Sequence, residues 1–303
     1  MGKISEMKIT VIGETNIDIS IRQHGNGNHG GCAPADIRFH HGGVARNVAH
    51  NLCLLGHEVR LTTVFGGDDF AKRIAEECMA IGMDLSLSST FETEKSPVFL
   101  SFNDEHGDIQ SAVSDIRLNE RLDLNFVKAK TERICHSEIV VADTLLTSEA
   151  ITHLIDNVQV PLFLDSVSPR RALHIMEALE WSRKKSLFAL KCNLAEAQAM
   201  TGLTDPLETA KALNHNGINE VFLTLGADGA VYSSPELTLH FSALPAKVVN
   251  VTGSGDAFLA GIVHAYSLGF QGPAAMPIGL KTAQHNSESD APVNPKLHQN
   301  VLQ

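Results

Sequence analysis

The chain has 303 residues, with 24 Lys and Arg against 35 Asp and Glu, for a net charge of -11. Hydrophobic residues make up 43% and charged residues 19%, the balance of a globular chain rather than a disordered one. An acidic surface of this kind does not suit a nucleic-acid polymer, and no apolar run reaches the roughly 18 residues of a membrane span. The length fits one large domain, or a domain with an inserted lobe. No signal-peptide core stands before the first strand. Cys32, Cys53, Cys78, Cys135 and Cys192 never form a C-x-x-C pair. A zinc knuckle or disulfide framework is therefore not expected, and the expected location is cytoplasmic.

Residues 8–12 read as a short apolar strand ending at Gly13, and residues 17–21 alternate with period two like a half-exposed strand. Residues 24–35, rich in Gly, Asn and His, read as a loop. Residues 43–55 have helical spacing, with Val44, Val48, Leu52 and Leu55 on one face and Gly56 as the stop. A strand over 59–65, a Gly66-Gly67 turn and a helix over 69–81 follow. Residues 96–103 and 109–113 read as a hairpin. With 17–21 they are expected to form a small antiparallel sheet, a lid built from parts of 14–42 and 96–115 and inserted into a single larger domain spanning 1–303.

Strands over 139–142, 160–165, 186–190 and 221–225 then alternate with helices over 148–158, 169–182, 194–200 and 206–214. Strands near 230–232 and 237–242 precede helices over 255–268 and 273–286. This alternation predicts an α/β fold with a mostly parallel central sheet, helices on both faces, and a ligand site beyond the C-terminal strand ends.

The sharpest local signal is Asn250-Val-Thr-Gly-Ser-Gly-Asp256 at the start of an apolar helix. Gly253, Ser254 and Gly255 let the backbone turn and aim N–H groups at one point, where the helix N-terminus adds to the same positive potential. Asp256 in the first turn is placed to take a proton from an attacking hydroxyl, with ordinary helix capping as the alternative. Gly42-Gly43 opens another helix, one turn into which Asn47 offers both a donor and an acceptor. Asp18 and Asn16 share a strand face, and a carboxylate suits two vicinal sugar hydroxyls; a solvent-facing Asp18 is the alternative. Asn193 and Glu196 share one side of a helical turn at a strand's cleft end. They suit a water-mediated Mg²⁺ site, a capping pair, or both. Thr224, Gly226 and Gly229 form a strand end and glycine turn suited to nucleotide phosphates or to a plain tight turn.

Gly25-Asn-Gly-Asn-His-Gly30 fits the dinucleotide pattern literally, but no helix starts after it. His24, His29, His40 and His41 lack the companion ligands of a metal site.

The Gly42-Gly43…Asn47 and Thr252-Gly-Ser-Gly-Asp256 segments, in this order and separation, resemble the two signatures of the ribokinase-like, or PfkB, family of carbohydrate and nucleoside kinases. The resemblance spans nearly the whole chain and implies a three-layer fold with a β lid, ATP and Mg²⁺ as cofactors, and a sugar or nucleoside acceptor. It implies Asp256 as catalytic base and Gly253, Ser254 and Gly255 as the anion hole. Asn16, Asp18, Gly42, Gly43 and Asn47 would bind the acceptor. Asn193, Glu196, Thr224, Gly226, Gly229 and Thr252 would lie near Mg–ATP, with Asn286 approaching its base edge. Family lids often pair between subunits, which implies a homodimer. Residues 43–52, Asp115-Ile116, 160–168 and 249–256 are similar to the pseudouridine kinase subgroup, with Asp115 a base-recognising candidate by position. Other nucleosides or ribose as acceptor, and a non-catalytic sugar-binding protein, are the competing readings. Two positions depart from the pattern. Asn250 stands where many members carry Asp beside a K⁺ site, leaving K⁺ dependence open. Asp165-Ser166 replaces Asp-Pro, which is expected to loosen a turn.

Overall fold

Runs of Val, Ile, Leu and Phe too short for helices and bounded by polar turns form the strands of a central sheet, and amphipathic segments between them cover its faces. The computed structural model describes residues 6–23, 34–104 and 109–299. β1 (Lys8–Ile12) leads to β2 (Asn16–Gln23) and β3 (Ala35–Gly42), then α1 (Val44–Leu54), β4 (Glu58–Thr62), β5 (Val64–Gly66), α2 (Asp69–Ile81) and β6 (Ser89–Phe91). β7 (Val98–Asn103) and β8 (Ile109–Asp115) form the expected hairpin, followed by α3 (Leu124–Lys128) and α4 (Thr131–Ile134). The alternating part comprises β9 (Ile139–Asp143), α5 (Ser148–Asn157), β10 (Leu162–Asp165), α6 (Pro169–Trp181), β11 (Leu187–Asn193), α7 (Leu194–Thr201), α8 (Pro206–His215) and β12 (Ile218–Thr224). β13 (Ala230–Ser233), β14 (Thr238–Phe241), α9 (Ser254–Ser267) and α10 (Met276–Ser287) complete it.

The eight-stranded sheet runs β14-β13-β12-β11-β10-β9-β1-β4. Pairs from β4 to β12 are parallel; β13 and β14 add an antiparallel edge. Because side chains alternate along a strand, each contributes to two cores. Val11, Leu61, Phe163 and Phe222 pack under α1, α9 and α10 with Leu52, Phe258 and Met276. Val140, Leu164, Leu190 and Leu223 pack on the opposite face with Ile151, Leu154, Ile175 and Leu213. This is the three-layer ribokinase-like arrangement, with a smaller accessory sheet of order β3-β2-β7-β8.

The expectations need four corrections. Residues 36–42, assigned to no element, form β3; alternating Ile37, Phe39 and His41 were the available signal. The small sheet is mixed, since β2 pairs β7 in parallel. The strand over 59–65 divides at Thr63, whose N–H goes to the Ser88 hydroxyl at 3.1 Å, and β5 then pairs with β6 in a separate ribbon. The last helix begins as a 3-10 turn, Gly272–Ala275, before α10. The Gly25–Gly30 pattern, His24 and His29 lie outside the described residues. Among the described residues no group of His, Cys, Asp and Glu could hold a metal, and no helix is long and apolar enough to cross a membrane.

Candidate active site

The C-terminal ends of the parallel strands carry Asp143, Asp165, Asn193 and Thr224, and the β1 to β2 turn brings Glu14 and Asn16 to the same edge. Gly42 ends β3 directly opposite Asn16. A Cβ there would stand 2.1 Å from Asp18 Oδ2 and 2.4 Å from Asn16 Oδ1, so only glycine lets both polar groups lie over this backbone. Gly43 has φ 96°, and its missing Cβ admits the Glu14 carbonyl. Asn16 Oδ1 is buried with no hydrogen-bond partner, an acceptor left open. Burial pushes the Asp18 carboxyl up to about 6, against the opposing effects of Asn16 and Arg46. Beneath them Glu14 accepts from Asn119 Nδ2 at 2.6 Å, and its N–H donates to Asp143 Oδ2 at 2.8 Å. Burial raises both carboxyls to about 7.

Facing this group is the N-terminus of α9. Gly253 takes the left-handed conformation (φ 75°), and a Cβ on it would strike the Pro292 carbonyl. The Ser254 N–H closes a turn on Val251 O, while Gly255 and Asp256 are the first-turn residues whose N–H groups have no acceptor within the helix. The buried Ser254 hydroxyl also lacks a partner. Asp256 is 8% exposed and accepts from Asn47 Nδ2 at 2.9 Å. Burial, then Asp165, pushes its carboxyl up to about 7, while Lys191 and Asn47 pull the other way. A carboxyl of that acidity is poised to exchange a proton near neutral pH.

Lys191 was missed by the sequence reading, although a lysine within an otherwise apolar buried strand is a readable signal. Its Nζ lies 3.0 Å from Asp165 Oδ2, and a Cβ on Gly255 would come within 2.8 Å of it. Burial opposes its charge, but Asp165, Glu196 and Asp256 outweigh that and hold the ammonium above the usual lysine range. The turn over residues 253–256 therefore has a buried cation against it.

Asn193 and Glu196 make the capping box in full: Asn193 Oδ1 accepts from the Glu196 N–H at 2.9 Å, and Glu196 Oε2 accepts from the Asn193 N–H at 2.8 Å. Ser166 Oγ donates to Glu196 Oε2 at 2.6 Å. Ser166 does not loosen the turn as expected; it is fully buried and ties β10 to α7. Val167 beside it holds φ 58°, a costly angle for a β-branched residue, and its N–H binds Asp165 Oδ1.

Thr224 stands beside Asn193 in register and donates to Cys192 O. Gly226 (φ 62°) opens to free space, whereas a Cβ on Gly229 would hit the Phe241 carbonyl, so Gly229 serves the tight turn. Asn286 is 2% exposed and fully used: Nδ2 donates to Thr252 O and Pro292 O, and Oδ1 accepts from the Asn294 N–H. It braces the loop at Thr252 against Pro292 and Asn294 instead of presenting a free edge to a base. Asp115 forks with Arg117 at 2.6 and 2.8 Å at the end of β8, so this candidate is held in a local ion pair.

The chain is 29% identical over 265 residues to the pseudouridine kinase of Escherichia coli K12, covering 85% of this chain and 83% of that protein. It is 25% identical over 291 residues to the guanosine-inosine kinase of Exiguobacterium acetylicum, covering 91% and 93%. A carbohydrate kinase from Agrobacterium tumefaciens superposes with a TM-score of 0.83 at 26% identity, over 98% of this chain and 95% of that one. The model of the pfkB family carbohydrate kinases matches residues 6–296. With the Gly42-Gly43 turn and the N-terminus of α9 joined across Asn47 and Asp256, the chain belongs to the pfkB family of carbohydrate kinases and is a phosphotransferase acting on a hydroxyl-bearing substrate.

Proposed function

We propose that the protein transfers the γ-phosphoryl group of ATP to the 5′-hydroxyl of pseudouridine, giving pseudouridine 5′-phosphate and ADP. The observation that carries this reading is the facing of Asp18 and Asn16 over Gly42, and of Asp256 beside Asn47 at the α9 N-terminus, in a chain similar along most of its length to a pseudouridine kinase. Asp18 and the open Asn16 acceptor receive ribose hydroxyls. Asp256 takes the proton from the attacking hydroxyl. The Gly255 and Asp256 N–H groups, the unpartnered Ser254 hydroxyl and Lys191 fit an anion such as the triphosphate. Mg²⁺ bound with the ATP would neutralise phosphate charge. Both Glu196 oxygens already accept hydrogen bonds, so Glu196 would reach the metal through water. Thr224, Gly226 and Thr252 border the nucleotide side.

The test is ATP consumption with pseudouridine, uridine, other nucleosides, ribose and fructose 6-phosphate, with the product position read by NMR. Pseudouridine is expected to be the best acceptor. The similarity to a guanosine-inosine kinase favours a purine nucleoside as the second reading, and a faster rate with inosine or guanosine would select it.

The accessory sheet is proposed as the lid over the acceptor and as the contact of a homodimer. Its inner face carries Asp18. Its opposite face pairs Ile19 with Phe39 and Leu100, and Ile21 with Ile37 and Phe102; on it Ile37, Phe39, Phe102 and Val113 are all at least 43% exposed. An apolar face of this kind calls for a cover, and a second copy of the same sheet supplies one.

A further inference from the structure

Arg46 lies within the glycine-opened helix segment, next to Asn47, and neither acceptor binding nor the anion hole accounts for it. It is 3% exposed, a depth arginine rarely reaches unpaired. Its Nη1 donates to His41 O at 3.2 Å and to Asn47 Oδ1 at 3.1 Å, and Nη2 donates to Glu77 Oε1 at 2.6 Å. Glu77 also binds the His41 imidazole on β3. Asn47 Nδ2 then donates to Asp256. An amide has one accepting and one donating end. A guanidinium at the first and a carboxylate at the second favour a single orientation.

We propose that Arg46 is a positioning residue for phosphoryl transfer, fixing the Asn47 amide with its N–H toward Asp256 and linking that orientation to the seating of β3 at His41. The proposal rests on the reading of Asp256 as base. With Nδ2 forward, the amide favours the carboxylate that accepts the proton. Reversed, Oδ1 would face Asp256 and favour its protonated form. The other groups facing Asp256 are Asp165 on β10 and Asp18 on β2, which disfavour its charge, and Lys191 on β11, which favours it. Arg46 itself faces Glu77 on α2, His41 on β3, Asp18 on β2 and His50 on α1.

The test is a ¹³C-carboxyl NMR titration of Asp256 in wild type, R46K and R46Q without nucleotide or acceptor, beside steady-state kinetics with the best acceptor. In R46Q the Asp256 titration is expected to move up by about one unit, and kcat at pH 7 to fall roughly tenfold with acceptor KM within about threefold. R46K, which keeps a cation, is expected to fall between. Should R46Q not fold, R46Q/E77Q removes both charges together and carries the same test. An unchanged Asp256 titration in the folded variant overturns the proposal. A shifted titration in a protein that phosphorylates no acceptor leaves the amide orientation standing and removes the kinase reading instead.

Discussion

Asn47 Nδ2 reaches Asp256 Oδ2 at 2.9 Å, a buried contact between residues 209 positions apart. It fastens α1, which the Gly42-Gly43 turn opens, to α9, which Gly253 opens. These two helices pack directly over the same face of the sheet. On the proposed reading, the acceptor hydroxyl and the Asp256 base would thereby be held by two helices packed on each other, which is the condition for proximity to lower a barrier.

Replacing Asp256 by Asn preserves size and removes the base. D256N is expected to fold and bind both substrates but to lose roughly 10²–10⁴-fold in kcat, the usual worth of positioned proton transfer. Near-wild-type kcat in the purified variant would take the base role from Asp256.

A base whose carboxyl is pushed up to about 7 in the free protein must be ionised to act, so kcat/KM is expected to rise with pH through that value and level off above it. The same shift has a stability consequence of fixed sign. The folded carboxyl holds its proton from its ordinary 3.8 up to about 7, so its contribution is intact below the lower value and lost as pH rises through the upper one. D256N carries no such loss. Its melting temperature relative to wild type is expected to climb between pH 5 and pH 8, and a flat difference would show that Asp256 is ionised throughout.

Asp18 is expected to grip vicinal hydroxyls. Hydrogen bonds to a charged group are worth about 1.5–3 kcal/mol, so D18A should lose roughly ten- to a hundredfold in acceptor kcat/KM with ATP affinity little changed. Equal kcat/KM in the two proteins would remove Asp18 from the cradle.

Asn250 uses both ends of its amide: Oδ1 accepts from the Thr252 N–H at 2.9 Å, and Nδ2 donates to the Asp290 carbonyl at 3.0 Å. An amide N–H stands where a carboxylate would attract a cation. Replacing Na⁺ or tetramethylammonium by K⁺ at matched ionic strength is therefore expected to change kcat by less than about twofold, while N250D should gain sensitivity to K⁺. Removal of Mg²⁺ with a chelator is expected to abolish turnover in both. Strong K⁺ activation of the wild type would show that backbone carbonyls suffice.

The apolar outer face of the small sheet predicts a dimer in light scattering. I37E/F39E, on the face opposite Asp18, is expected to give a monomer. A wild-type monomer at micromolar protein would leave this face without a second copy as its cover.

The strand and helix alternation from Ile139 onward was legible because buried parallel strands are short continuous apolar runs, and helices keep their period in solvent. The two glycine turns were legible because Gly43 and Gly253 hold positive φ angles, a local backbone demand that leaves a mark in the string. The α9 helix and the glycine turn before it therefore followed from residues adjacent in the chain. Strand β3 escaped because its partner, β2, is what gives its half-polar alternation meaning.

Tertiary structure alone decided the charge state and orientation of the site. Lys191 and Asp165 meet across neighbouring strands, Arg46 reaches Asn47 and Glu77, and Asp143 lies beneath Glu14. Asn286 and Ser166, which looked like a base contact and a looser turn, prove to brace the loop and Glu196. Each is a polar side chain whose role depends on burial and on a partner remote in sequence. Desolvation and Coulomb interaction depend on distance in space, whereas propensity and turn chemistry act within a few residues along the chain.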